Sequence, residues 1–124
     1  MQDELFHQQL KRKAHMFVMF VYDVVKQFPK SELYGTVSQL CRAAVSVMLN
    51  YVEGFARKRI KVKLQFYETS YGSAKECKYL LFLAFERRWL EEIQYRKGLE
   101  YIEEICAMLW SMISRIENEI KEEA

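Results

Sequence analysis

The chain has 124 residues, enough for one hydrophobic core and too few for two domains. Apolar residues at 51% and charged residues at 29% exclude a disordered chain, and a single proline with four glycines excludes a fold chopped into many short pieces. A net charge of +2 hides a lopsided distribution: residues 1–90 hold 15 Lys/Arg against 8 Asp/Glu, residues 91–124 hold 4 against 9.

Four segments have helical periodicity. The first, residues 5–27, puts Ala14, Phe17, Val21, Val24 and Phe28 on one stripe, and Pro29 stops it because proline disfavours helix at the residue before it. Ser31 and Glu32 offer a cap and a negative charge for the next start. The second helix, residues 32–56, repeats Val37, Leu40, Cys41, Ala44, Val47, Met48, Tyr51, Val52 and Phe55 at three- and four-residue steps, with Gly35 and Gly54 near its ends. The third, residues 63–85, carries a small-residue patch at Gly72-Ser73-Ala74 that would admit a neighbouring backbone. The fourth, residues 91–121, has a heptad seam of Leu99, Ile102, Cys106, Leu109, Ile113, Ile116 and Ile120. Long helices with short connections predict an all-α fold, an antiparallel up-down-up-down four-helix bundle forming one domain over 1–124.

Two helices have more apolar surface than one stripe requires. In the fourth, Tyr101, Ile105, Met108 and Met112 make a second row; in the first, residues 16–25, including Met16, Met19 and Phe20, are apolar nearly all round except for Asp23. A broad core or a second subunit could cover them. The reading taken is a homo-oligomer with these seven residues at the interface.

Chemistry is sparse. No phosphate-cradling glycine loop and no Gly-x-Ser-x-Gly turn occurs. A di-metal bundle site needs Glu-x-x-His on two helices, whereas Glu4-Leu5-Phe6-His7 stands alone and His15 is the only other histidine. Paired carboxylates such as Glu103-Glu104 fall on a solvated face. The expectation is a protein that is not an enzyme, with no metal, no cofactor and no small-molecule substrate. Cys41, Cys77 and Cys106 form no Cys-x-x-Cys pair, the start Met1-Gln2-Asp3-Glu4 has no export-signal character, and the apolar run from Met16 to Tyr22 is too short to span a bilayer. These features fit a cytoplasmic protein with reduced thiols and no membrane contact.

Two polar features remain. Gln39, Arg42, Ser46, Asn50, Glu53 and Arg57 share one face of the second helix, either as a solvated stripe or as a network that fixes register or meets a partner. Arg57-Lys58-Arg59-Ile60-Lys61-Val62-Lys63 reads as a basic connection, and Lys11-Arg12-Lys13 forms a second cluster at the same end of an up-down bundle. Such charge density suits phosphate backbones, so Lys11, Arg12, Lys13, Arg42, Arg57, Lys58, Arg59, Lys61 and Lys63 are the candidate RNA contacts. A solubility role for the loop is the alternative.

Phe28-Pro29-Lys30, Leu33-Tyr34-Gly35, Ser38-Gln39-Leu40, Arg42-Ala43-Ala44-Val45-Ser46, Asn50 and Glu53-Gly54-Phe55-Ala56-Arg57-Lys58, followed by Phe66-Tyr67, Gly72-Ser73 and Glu76, resemble the four-helix-bundle family encoded in 23S ribosomal RNA intervening sequences. Lys13-Ala14-His15 matches its opening helix. The resemblance implies a bacterial protein assembling into rings, commonly pentamers. It also implies kinship with the accessory variability determinant of diversity-generating retroelements, a basic bundle working with RNA and a reverse transcriptase. Two departures are visible: Val47-Met48-Leu49 replaces an Ile-Pro-Ser-like stretch, which predicts a straighter second helix, and Lys11 stands where the family places tryptophan. The function expected is an RNA-associated accessory or scaffold, with a protein scaffold for a reverse transcriptase, binding no nucleic acid itself, as the alternative.

Overall fold

A computed structural model describes residues 2–123; Met1, the first residue of the polar start, lies outside them. Four helices make the structure: α1 (Gln2–Val24), α2 (Ser38–Ala56), α3 (Ile60–Glu86) and α4 (Glu92–Glu123). Cross-helix pairs establish their directions. Asp3 meets Arg115 and Gln27 meets Gln94, so α1 and α4 are antiparallel. His7 meets Tyr51, Ser46 meets Ser73, and Phe85 meets Tyr95, which extends the alternation through α2, α3 and α4. The fourth helix packs back on the first, closing an up-down-up-down bundle.

The connections differ from the expected boundaries in physically readable ways. α1 tightens into a 3-10 turn over Val25–Gln27 before Phe28, whose extended backbone precedes Pro29. The second helix starts later than its capping signal suggests. Lys30–Glu32 is a 3-10 turn, Leu33–Val37 is a wide turn with non-helical backbone at Gly35, and regular α2 begins only at Ser38. Glu32 still acts as the cap, accepting hydrogen bonds from the Thr36 amide and hydroxyl, which hold its carboxyl below the usual range. Beyond that entry α2 runs unbroken through Val47-Met48-Leu49, as the missing proline predicts.

The core takes Leu10, Ala14, Phe17, Val21 and Val24 from α1, and Leu40, Ala44, Val47 and Tyr51 from α2. From α4 it takes Ile102, Cys106, Leu109, Ile113 and Ile116 of the heptad seam. It also takes Ile105 at 0% exposure and Met112 at 8%, so half of the supposed second row is interior. Phe20, at 9%, is likewise inside, against Tyr101 and Gly98. Ile105, Met112 and Phe20 therefore leave the expected interface: in a closed bundle α4 touches both α1 and α3 and needs an apolar face wider than a two-position seam. Tyr101 and Met108 are half-buried, while Met16 and Met19 are exposed.

α2 and α3 approach closely through small residues. Ser70 is fully buried and donates to the Val47 carbonyl at 2.6 Å, Ala43, Ala44 and Ala74 are buried, and the Ser46 and Ser73 hydroxyls are bonded at 2.8 Å. Gly72 takes no part, since a methyl there would face open space. The polar stripe of α2 is divided accordingly. Gln39 donates to Glu76 and Ser46 to or from Ser73 across to α3, Asn50 bonds back to Ser46, and Glu53 pairs with Arg57 within the helix.

Candidate nucleic-acid interface

At one end of the bundle the start of α1, the end of α2, the start of α3 and the last third of α4 enclose a cavity of about 300 Å³. Its walls carry aromatic rings and charges of both signs, Lys58, Lys63 and Arg115 with Asp3 and Glu119. Tyr67 lies stacked at 5.9 Å from Tyr51, and Phe6 and Phe55 flank His7. Gly54 makes this packing possible, because a methyl there would sit 2.7 Å from the Tyr67 ring.

His7 stands at the centre. Its Nδ1 lies 2.6 Å from the Tyr51 hydroxyl. Burial, reinforced by nearby Lys63, Lys11 and Arg115, lowers the imidazole pKa below 6.5, with Asp3 opposing. Burial also pushes the Tyr51 phenol far upward, and Tyr67 to about 12. At neutral pH a protonated Tyr51 thus donates to a neutral His7. Among the described residues no group of three His, Cys, Asp or Glu side chains could share one metal ion. Burial raises the pKa of Cys77 and Cys106 and, in a half-buried position, of Cys41, so all three stay thiols.

The basic residues sort by helix face. Lys63 donates to the Gly54 and Phe55 carbonyls at 2.9 and 3.0 Å, capping α2, and its ammonium sits 5.6 Å from the Phe55 ring centre. Lys11 reaches the same ring at 5.4 Å, joining the first cluster to the second as the up-down topology predicts. Lys58 lines the cavity and Arg57 lies over Phe66 while paired to Glu53. Arg59 and Lys61 are exposed beside them.

Three expected contacts fall elsewhere. Neighbouring residues on a helix point about 100° apart, so Arg12 and Lys13 turn toward α4 while Lys11 faces α2. Lys13 pairs with Glu104 at 2.6 Å, and Arg12 lines a shallow groove with Lys97, Glu100 and Tyr101. Arg42 lies four turns up α2 from Arg57, in a groove with Tyr22 and Leu49. Arg115 was not among the expected residues and belongs to the site, paired to Asp3 at 3.1 Å. His7 was considered only as a metal ligand; its place four residues before Lys11, on the same face, was the readable signal.

The connection itself is shorter than expected. Only Arg57, Lys58 and Arg59 link α2 to α3, and Ile60, Lys61 and Lys63 already belong to α3. The start of α3 therefore has Arg59 at its cap position, no side-chain cap bond and no acidic residue in its first turn. Helix starts carry partial positive charge and favour acids, yet this one is ringed by cations. Lys58, Arg59, Lys61 and Lys63 thus stand together at a helix start without a side-chain cap, with the Lys63 ammonium held by the last carbonyls of α2.

No curated protein matches this sequence. Among solved structures, a protein of unknown function from the S23 ribosomal protein family of Bacteroides thetaiotaomicron is similar, with a TM-score of 0.78 at 20% identity, covering 84% of this chain and 97% of that one. That likeness concerns the fold. The 23S rRNA-intervening sequence protein family matches residues 7–111, most of the four-helix bundle, and the chain belongs to that family.

Proposed function

We propose that the chain is a non-enzymatic, self-associating bundle whose basic end binds RNA. The observation that carries this reading is the meeting of Lys11 and Lys63 over Phe55, next to a start of α3 that bears cations in place of a cap. Cations neutralise phosphates, and exposed rings stack on bases with about 1–3 kcal/mol per base, a combination that suits single-stranded RNA. Phe55 is half-exposed, with the two ammonium groups over its ring. The family's name, which refers to intervening sequences in 23S rRNA, agrees with an RNA partner. The test is anisotropy of a labelled single-stranded RNA titrated at low and moderate salt. Replacing Lys58, Arg59 and Lys61 by Gln should weaken binding more than tenfold and flatten its salt dependence. Unchanged affinity at both salt concentrations would overturn the reading.

A second reading, a protein-interaction scaffold for a partner such as a reverse transcriptase, is favoured by one surface. Tyr22 on α1 and Leu49 and Val52 on α2 are 45–57% exposed, and Tyr22 and Leu49 line one shallow groove with Val45. Under this reading Leu49→Glu breaks a protein complex while RNA affinity is negligible from the outset. The same face is a candidate for contacts between subunits of a ring, with the five-subunit form implied by the resemblance, whereas exposed Met16 lies in the groove between α1 and α4. A cytoplasmic location belongs with either reading; among the described residues no helix is long and apolar enough to cross a membrane.

A further inference from the structure

From the cavity at this end of the bundle we infer a binding site for one small, uncharged aromatic molecule bearing a hydrogen-bond acceptor, of the aryl ketone or aldehyde class. All four helices build it: Phe6 from α1, Phe55 from α2, Ile60 and Tyr67 from α3, Met112 and Ile116 from α4. Tyr67, Met112 and Ile116 are buried members of the core, so they form an apolar floor. A thioether and ring edges are favourable neighbours for another aromatic ring. At about 300 Å³ the cavity is at the lower limit of small-ligand sites, which suits a single ring with a short substituent.

The charges on the wall leave no excess for an ion. Arg115 is paired with Asp3 at 3.1 Å, and the Lys63 ammonium is held by the Gly54 and Phe55 carbonyls at 2.9 and 3.0 Å. Lys58 and Glu119 remain, one of each sign. An anion or a cation would meet a like charge together with its partner, and would give up hydration to enter. An uncharged ligand meets neither cost.

His7 supplies the polar contact. Its Nδ1 takes the Tyr51 hydroxyl at 2.6 Å, and a neutral imidazole that accepts at Nδ1 has its proton on Nε2. The two ring nitrogens point in diverging directions. With Nδ1 turned to buried Tyr51, Nε2 is directed away from the core, on a residue that lines the cavity. Among the described residues no group accepts a hydrogen bond from that nitrogen. One donor beside an apolar floor is the arrangement that orients a small ligand through a carbonyl oxygen.

The experiment titrates ¹⁵N-labelled protein with acetophenone, ethylbenzene and benzoate and follows the amide shifts. Acetophenone should move the amides of the lining residues saturably. It should bind at least fivefold tighter than ethylbenzene, which has no acceptor, and than benzoate, which is charged. His7→Phe should bring acetophenone down to the affinity of ethylbenzene. Ser111→Trp, a change at an exposed position on the wall, should abolish the binding of both by filling the space, and it tests the location even where His7→Phe fails to fold. No saturable shift with acetophenone, or binding undiminished in Ser111→Trp, would overturn the site. Equal affinity for the three probes, or tightest binding of benzoate, would overturn the ligand class. The site does not depend on RNA binding, so none of these outcomes bears on the RNA reading.

Discussion

Tyr51 and His7 couple the aromatic end of the bundle to pH. Because burial lowers the pKa of His7, the unfolded chain takes up a proton near pH 6.5 that the folded chain refuses. The stability at stake is complete above pH 6.5 and is lost as pH falls from there through the folded value. Thermal melts at pH 7.5 and 5.5 should show a lower Tm at the acid pH, and His7→Gln should shrink that difference. An unaltered difference in the variant would place the effect on other groups. Gly98 allows a residue-scale prediction of another kind. A methyl there would lie 2.8 Å from the Phe20 ring and 3.0 Å from Leu81, so Gly98→Ala forces two core side chains to move at once. Overpacking of this sort costs about 1–3 kcal/mol, more than the roughly 1 kcal/mol of helix propensity gained, so denaturant melts should register a net loss. Nothing in the chain's periodicity marks Gly98 as special; its role depends on where Phe20 and Leu81 arrive from other helices.

The end of α3 is a Schellman turn made without glycine. The Trp89 amide bonds to the Ala84 carbonyl at 2.8 Å and the Arg88 amide to Phe85 at 2.9 Å, which places Arg88 at φ 65° in the left-handed region. A side chain there costs about 1–2 kcal/mol, partly offset by the entropy glycine would restore to the unfolded chain. Arg88→Gly should therefore stabilise the fold by about 0.5–1 kcal/mol in urea melts, and a loss would mean that Arg88 makes a contact stronger than its strain. At this scale much was readable. Val24, Phe28 and Pro29 announce the end of α1, and the three-four spacing of Ile102, Leu109, Ile113 and Ile116 announces α4. What local pattern could not convey was how many neighbours α4 has. Ile105 and Met112 look like surplus on an isolated helix and become core once α1 and α3 both press on it, so Ile105→Ala should cost about 2–5 kcal/mol as an interior deletion. The late start of α2 was hidden for a similar reason. Glu32 is a correct cap signal, yet the chain spends Leu33–Val37 in a wide turn before the regular helix begins.

At the scale of the molecule, the four helices gather residues that the chain keeps far apart. The approach of Lys11 to Phe55 at the end of α2 followed from up-down topology alone, whereas Arg115 could be assigned to the basic end only when α4's rotation was known. Arg12 and Lys13 were misplaced because a run of three basic residues spreads over most of a helix turn. The apolar face of α1 and α2 gives a prediction on assembly. Leu49 is 57% exposed, so Leu49→Glu should leave the melting temperature of the bundle nearly unchanged while lowering the mass seen by light scattering, if that face joins subunits. An unchanged mass would move the contact to another surface. The last turns of α4 are different in kind. From Glu117 to Glu123 only Ile120 is even partly covered, so these residues rest on intrahelical bonds with little burial behind them. Their amides should exchange with deuterium far sooner than those of Ile102 to Ile113, and a protease should clip here first. The cut would remove Glu117, Glu119, Glu122 and Glu123 against one Lys121, so trimming after Ile116 turns a nearly neutral molecule into one of net charge +5 that a cation-exchange column would hold.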